Sequence, residues 1–281
     1  MRKFLSVLLL VGLLSACAFG DDKRIADGAP MPDTPVAVQT VLRQKDVRTI
    51  EELYAKNREA EAEFHALMAE LRDEFGAELI EREGLKSEAR VREKAKKEYD
   101  GDYSCITDIL AATLVFDTEE KILAAAKMLK SRKYVVRFID RWTNSRASGY
   151  KDFQLKIALS NGAVAELQLH HRKIAEVNRY LDHSLYEFVR SNEGKEGTAS
   201  WIEQTLSIER AFYDAALNGK YDKMSNDSKI KSRAIARRLA SHSKDRPEEV
   251  QPLLDLLSSI VREEFGALSL DGQKLIRKEN E

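Results

Sequence analysis

The chain has 281 residues, 43% of them hydrophobic, enough to bury a core in one or two domains. Its 46 lysines and arginines stand against 47 aspartates and glutamates, and the formal net charge of −1 argues against a general nucleic-acid binder. With 33% charged residues, local basic clusters remain open, so partners must be sought in particular segments.

The N-terminus carries a processing signal. Arg2 and Lys3 precede an apolar run from Phe4 to Leu14, followed by Ser15, Ala16 and Cys17. The pattern resembles a bacterial lipoprotein signal, residues 1–17, in which cleavage precedes the cysteine and that residue receives the lipid. The run is shorter than the roughly 20 residues of a membrane-spanning helix. The expectation is a bacterial cell-envelope protein, anchored through lipid at Cys17 on the periplasmic side; translation from Met31 would instead yield a cytosolic form. With Cys17 acylated, Cys105 is the remaining thiol, which excludes an intramolecular disulfide and a cysteine metal cage. Beside Ile106, Cys105 reads as a small core residue rather than a nucleophile.

Three of the five prolines lie between Pro30 and Pro35, so residues 18–44 read as a flexible tether between lipid and folded body. From Asp46 the pattern turns helical, with Ile50, Leu53, Phe64, Leu67 and Leu71 at three- and four-residue steps. The middle of the chain changes period. Ala111–Asp117, Tyr134–Asp140, Asp152–Leu159 and Ala163–His171 are short β-prone runs, with a helix over Thr118–Ser131 between the first two. After Glu187 helical periods return around Trp201–Leu217, Lys229–Ser241 and Pro247–Phe265. Their apolar spacing suits either covering the sheet or forming an oligomer.

The turn Ser160-Asn161-Gly162 decides the register of the last two strands. A two-residue turn would mix apolar and polar residues on both faces. A three-residue loop with Gly162 in the left-handed conformation sets Leu155 opposite Leu167, Ile157 opposite Ala165 and Phe153 opposite Leu169. The second face then carries Asp152, Gln154 and Lys156 against His170, Gln168 and Glu166. An exposed Lys156–Glu166 pair would contribute on the order of 0.2–1 kcal/mol, which accounts for Glu166 but not for its neighbours.

In order and spacing, "TDILAATLVFD", "VVRFIDRW", "SGYKDFQLKIALSNGAVAELQLHH" and "DHSLYEFVR" resemble the synthetase domain of the RelA/SpoT family, the alarmone synthetases, over about Leu85 to Arg190. The resemblance implies an α+β (mixed α/β) fold, a nucleotidyltransferase-like mixed sheet flanked by helices, with helical N- and C-terminal extensions. The synthetase-like domain would span 45–195 and the helical C-terminal extension 196–281. The implied reaction moves pyrophosphate from ATP to the 3′-hydroxyl of a guanine nucleotide or related acceptor. Asp108 matches the family aspartate before the first strand and Glu166 the glutamate of its E-x-Q strand. Both would hold magnesium, with manganese as a substitute, and Glu166 would also polarise the attacking hydroxyl. A hard cation bridging phosphate oxygens wants oxygen ligands, one or two from protein and the others from water and substrate.

The same resemblance makes Tyr150, presented by the turn at Gly149, the stacking partner of the acceptor base. It makes Lys86, Arg90 and Lys94, spaced by four on a helical face, the grip on the ATP phosphates. Arg137, Arg141 and Lys151 would add positive charge, and Gln168, His170 and His183 complete the nucleotide-binding set. One departure stands out. Many members carry an arginine a few residues after the metal aspartate, where this chain has Ala111, Ala112 and Thr113. No histidine-aspartate pair of a hydrolase is evident. The competing expectation is a non-catalytic envelope lipoprotein that keeps a degenerate nucleotide-binding fold as an interaction module. A toxin-like enzyme acting after delivery into another cell would bring a neutralising protein as partner.

Overall fold

The structure, a computed structural model, describes residues 41–242 and 246–266. The leader, Cys17, Met31 and the tether up to residue 40 lie outside the described residues, as do 243–245 and 267–281. Among the described residues no helix is long and apolar enough to cross a membrane.

Five strands form one sheet: β1 (Glu78–Glu81), β2 (Ala111–Phe116), β3 (Val135–Asp140), β4 (Phe153–Ala158) and β5 (Val164–His171), in the order β1-β2-β5-β4-β3. Helices α1 (Ile50–Phe75), α2 (Glu88–Glu98) and α3 (Glu119–Lys130) are interleaved with the first three strands. The sheet is followed by α4 (Arg172–Val177), α5 (His183–Asn192), α6 (Ala199–Leu217), α7 (Lys220–Lys223), α8 (Asn226–His242) and α9 (Val250–Phe265). The β-prone runs and the helix between the first two are present, each trimmed by a residue or so. The four-residue strand β1 and the helix α4 had no signal in the reading of periods, being too short to show one.

The chain divides into two compact units whose boundary passes through β2, β3, β4 and β5. The first comprises residues up to Leu114 with Lys127–Phe138 and Gln154–Gln168; the second comprises Val115–Ala126, Ile139–Phe153 and the chain from Leu169.

In the first unit α1 starts at Thr49, whose side chain accepts from Glu52 N while Glu52 returns a bond to the Thr49 backbone. The buried stripe of α1 contains Leu53, Phe64, Met68 and Leu71, each such burial being worth roughly 1.5–3 kcal/mol. Val47, Ile50, Leu53 and Tyr54 cluster with Val91 and Ala95 of α2 and with Ile106 and Ile109, which fixes the segment carrying Asp108 between helices and sheet. Gln44, at the end of the expected tether, is buried; its amide donates to Ile106 O and accepts from Val164 N at 3.1 Å. The folded body therefore includes Gln44.

The hairpin has the expected register. Gly162 sits at φ +78°, its N–H donates to Leu159 O at 2.8 Å, and Leu159 N donates to Ala163 O at 2.8 Å. That pairing sets Leu155 against Leu167 and Lys156 against Glu166. Glu63 of α1 accepts from Ser160 N at 2.9 Å and Asn161 Nδ2 donates to Lys56 O at 2.9 Å, pinning the turn.

In the second unit the helices bury Phe188, Phe212, Leu239, Leu254, Leu257 and Val261, and Phe212 packs edge-on against Tyr221 and Phe265. The C-terminal helices thus place their apolar faces within this unit.

Cys105 is 3% exposed, and burial together with the neighbouring Asp102 carboxylate pushes its thiol up to about 11. In the folded protein Ellman's reagent at pH 8 is expected to modify Cys105 at least a hundredfold more slowly than in denaturant, because the thiolate is scarce and covered. Rapid native labelling would contradict its place in the core.

Candidate active site

Of the two carboxylates singled out in the sequence, both in the first unit, Glu166 lies on a strand and Asp108 in the segment that leads into the neighbouring strand β2. Glu166 lies on the central strand β5, and its N–H donates to Leu110 O at 3.0 Å, two residues beyond Asp108. On its other side Lys156 of β4 donates Nζ to Glu166 Oε2 at 2.7 Å, with Gln154 Nε2 on the same oxygen at 2.6 Å. Gln168 Nε2 donates to Glu166 Oε1 at 2.8 Å. Glu166 and Lys156 are each only 8% exposed. The polar face of the hairpin is therefore covered rather than wet, and the pair belongs to a buried network.

Asp108 is 7% exposed. Its Oδ2 accepts from Lys86 Nζ at 2.6 Å and from Lys94 Nζ at 3.0 Å. Burial opposes the charged carboxylate, but Lys94 and Lys86 outweigh it and hold Asp108 well below the usual carboxylate range, with Lys156 adding to the effect. Burial lowers Lys86, whereas at Lys94 the attraction of Asp108 overcomes burial and raises it. The geometry supports both lysines as charged partners of one carboxylate. Asp108 Oδ1 is buried and has no hydrogen-bond partner among the described residues.

That orphaned oxygen, with Glu166 nearby, suits a hard cation. Among the described residues no group of three or more histidines, cysteines, aspartates or glutamates could hold a metal ion. A magnesium ion here would take one or two protein oxygens and draw its other ligands from phosphate and water, which is its ordinary habit.

Of the three basic residues expected on one helical face, two meet. Lys86 precedes α2, and Lys94, two turns into the helix, turns to the same carboxylate. Arg90 is exposed, 3.6 Å from Glu93. Arg137 is half-buried on β3, and its burial lowers its guanidinium. Sequence reasoning passed over Arg82, and it expected the Lys156–Glu166 pair as an exposed rather than a buried one. Gln154 and Lys156 were visible as members of the hairpin's polar face; Arg82, beyond the unrecognised strand β1, had no signal.

The second unit holds a separate cluster around Tyr150. The ring is 8% exposed, buried rather than presented at the surface. Its hydroxyl donates to Asp152 Oδ2 at 3.0 Å and lies 2.8 Å from His170 Nε2. Arg141 grips Asp152 through Nε at 2.5 Å and Nη2 at 2.6 Å. The Arg141 and Arg146 guanidinium carbons lie 5.8 and 5.6 Å from the Tyr150 ring centroid. Burial, then Asp152, raises the tyrosine well above its ordinary value. Gly149, at φ +80°, would place a Cβ 3.2 Å from Arg210 Cα of α6, so the close approach of that helix requires glycine. Arg210 donates to Ala147 O, and Tyr213 packs edge-on against Tyr150. Lys151 Nζ lies 6.0 Å from the Trp142 ring centroid. His183 is exposed at the start of α5.

A five-stranded mixed sheet of this order, flanked by helices, with one carboxylate on a strand and the other just before its neighbour, defines the class: a mixed α+β fold consistent with that of the alarmone synthetases. Among solved structures it is similar to a chain from the complex between the type VI effector Tas1 and its immunity protein. The identity is 23% over 60% of this chain and 96% of that one, with a TM-score of 0.50. A GTP pyrophosphokinase family protein from Streptococcus pneumoniae matches at 17% identity over 66% of this chain and 98% of that one, TM-score 0.46. The small alarmone synthetase 1 from Bacillus subtilis matches at 18% over 62% and 97%, TM-score 0.43. No protein-family model and no curated protein sequence matches the chain.

Proposed function

We propose that the chain transfers pyrophosphate from ATP to the 3′-hydroxyl of a guanine nucleotide or related acceptor, with magnesium held by Asp108 and Glu166 and manganese able to replace it. The observation that carries this reading is the unpartnered, buried Oδ1 of Asp108 beside Glu166, within a ring of Lys86, Lys94 and Lys156. Transfer of this kind depends mostly on positioning and on stabilising charge. Magnesium, when bound, supplies charge neutralisation at the phosphate oxygens.

The chain's own residues divide the work. Lys86 and Lys94, now spent on Asp108, are the donors that turn to the phosphates as the carboxylate is shared. Lys156, Gln154 and Gln168 hold the Glu166 carboxylate in one orientation, with which it receives the acceptor's hydroxyl proton. Tyr150 takes the acceptor base on its ring, where the guanidinium groups of Arg141 and Arg146 now lie. Arg137, Lys151, His170 and His183 are proposed around the nucleotides; Arg90 would have to leave Glu93 to join them.

A second reading, a non-catalytic nucleotide-binding module, is favoured by the lysines that already neutralise both carboxylates and by Ala111, Ala112 and Thr113 on β2. Lipid attachment at Cys17, on the periplasmic side of a bacterial envelope, belongs to the proposal, as does a neutralising partner. The latter draws on the Tas1 structure being a complex with an immunity protein.

The test uses the purified chain with magnesium, ATP labelled in its β and γ phosphates, and GDP, GTP, AMP or tRNA as acceptor. A labelled pyrophosphorylated product that requires magnesium and falls at least a hundredfold in Glu166→Gln is expected. Nucleotide-dependent thermal stabilisation without turnover on any acceptor would favour the module.

A further inference from the structure

Asp108 stands in the middle of a stretch of irregular backbone, residues 106–110, between the single 3₁₀ turn Tyr103–Cys105 and β2. All five residues are buried. Such a stretch has no ladder of its own, so its carbonyl groups must find donors in other segments. Every one of them does. Leu110 O accepts from Glu166 N at 3.0 Å and Ile109 O from Lys86 N at 3.1 Å. Arg82 Nη1 donates to Asp108 O at 2.6 Å, and Lys156 Nζ donates to Thr107 O at 3.4 Å. Ile106 O, which remains, accepts from the side-chain amide of Gln44.

Gln44 differs from the other donors in what its second group holds. The same amide accepts from the N–H of Val164, the first residue of β5, at 3.1 Å, and the Gln44 backbone N–H donates to Ser104 O at 2.9 Å. Ile106 is two residues before Asp108, and Val164 is two residues before Glu166. One planar amide therefore joins the segment that carries the first carboxylate to the strand that carries the second, and the Glu166–Leu110 bond closes the other end. Between these ties residues 164–166 face residues 106–110, so the surplus of the longer segment has to be taken up where Asp108 is. Gln44 is 2% exposed. Losing either of its bonds leaves a buried backbone group unpaired, so the amide has one orientation and the two segments one spacing.

We propose that Gln44 is a positioning residue for the cation site: it sets the separation of Asp108 from Glu166 at which both carboxylates reach one magnesium ion. It bonds to neither carboxylate and lies outside the region, about Leu85 to Arg190, over which the chain resembles the synthetases. The proposal rests on the pyrophosphate-transfer reading above. Magnesium demands near-octahedral geometry, and a misplacement of about 1 Å can cost a hundredfold in rate, so a loosened spacing tells at the metal before it tells anywhere else.

Manganese titration of the full chain with α,β-methylene ATP, followed by electron paramagnetic resonance, reads the site without turnover, and initial rates with ATP and GDP read it in action. Glu166→Gln, which removes a ligand, sets the signal of binding elsewhere. Gln44→Met keeps the length of the side chain and removes both bonds. It is expected to weaken manganese binding and to lower kcat per folded molecule, each by tenfold or more, with KM for ATP changed less than threefold because no nucleotide contact is removed. Gln44→Asn, which keeps both groups on a shorter stem, should fall between. If Gln44→Met melts earlier but binds manganese and turns over, per folded molecule, as the parent does, Gln44 serves stability alone and the proposal fails, with the transfer reading intact. If the parent shows neither transfer nor manganese binding that Glu166→Gln abolishes, that reading falls and takes the proposal with it. Should Gln44→Met not fold, Gln44→Asn decides: weaker manganese binding in the folded variant supports the proposal, and unchanged binding overturns it.

Discussion

Asp108→Asn is expected to slow pyrophosphate transfer by a hundredfold or more, measured as initial rate per folded molecule. The asparagine keeps the shape of the side chain and an acceptor for one lysine, but it removes the charge that orders Lys86 and Lys94. It also removes the anionic Oδ1 that has no other partner. Losing a single preorganised electrostatic partner costs 10²–10³ in comparable sites. Stability falls as well. Breaking a buried ion pair costs about 3–5 kcal/mol, and the lysine side chains, 18% and 20% exposed, place the expectation at the lower end. Circular dichroism on the same samples separates the two effects. An unchanged rate per folded molecule would remove Asp108 from the chemistry. The pH dependence follows from the same contacts. Asp108 is depressed in the fold relative to about 3.9 in an unfolded chain. Its contribution is thus fully present at neutral pH and is lost as pH falls from about 5 downward. Urea titrations of the parent should show this increment and those of Asp108→Asn should lack it.

Asp152→Ala is expected to destabilise the protein by about 3–5 kcal/mol, with no part in it for the metal or the phosphates. Asp152 is completely buried and takes two bonds from Arg141 and one from the Tyr150 hydroxyl. Alanine leaves a guanidinium, whose side chain is 15% exposed, without its counter-charge. At about 2–4 °C per kcal/mol for a chain of this size, the melting temperature should drop by roughly ten degrees. Loss of the Asp152 bond also leaves the Tyr150 hydroxyl with His170 as its remaining partner at 2.8 Å, so near-ultraviolet circular dichroism of the tyrosines should weaken before the far-ultraviolet signal does. A change below 1 kcal/mol would mean that water replaces the carboxylate and that the cluster is open. Read with the first variant, this separates an acid that serves chemistry from one that serves the loop bearing Gly149 and Tyr150.

The hairpin was legible because its information is local. Period-two alternation, a glycine able to reach positive φ, and the agreement of Leu155, Ile157, Leu167 and Leu169 on one face admit a single register. That register predicts Lys156 against Glu166 without reference to the other strands. What it does not predict is burial: a polar face alternates identically whether water or more protein covers it, and here Glu166, Lys156 and His170 are all covered. The strand β1 was invisible because four residues, three of them exposed, carry no repeated apolar signal. With it went Arg82, whose place depends on pairing with β2 through Arg82 N and Ala111 O at 3.1 Å.

Sequence by itself determined the alternation of long helices and short strands, the turn at Gly162 and the residue types able to hold a cation, since these follow from spacing and side-chain chemistry along a few neighbouring positions. Only the tertiary structure decided that Lys86 and Lys94 spend their charge on Asp108 while Arg90 does not, and that Tyr150 lies beneath cations and α6. Each of those outcomes depends on distances between segments far apart in the chain. Such distances are set by how strands pair and helices pack, and no local periodicity encodes them.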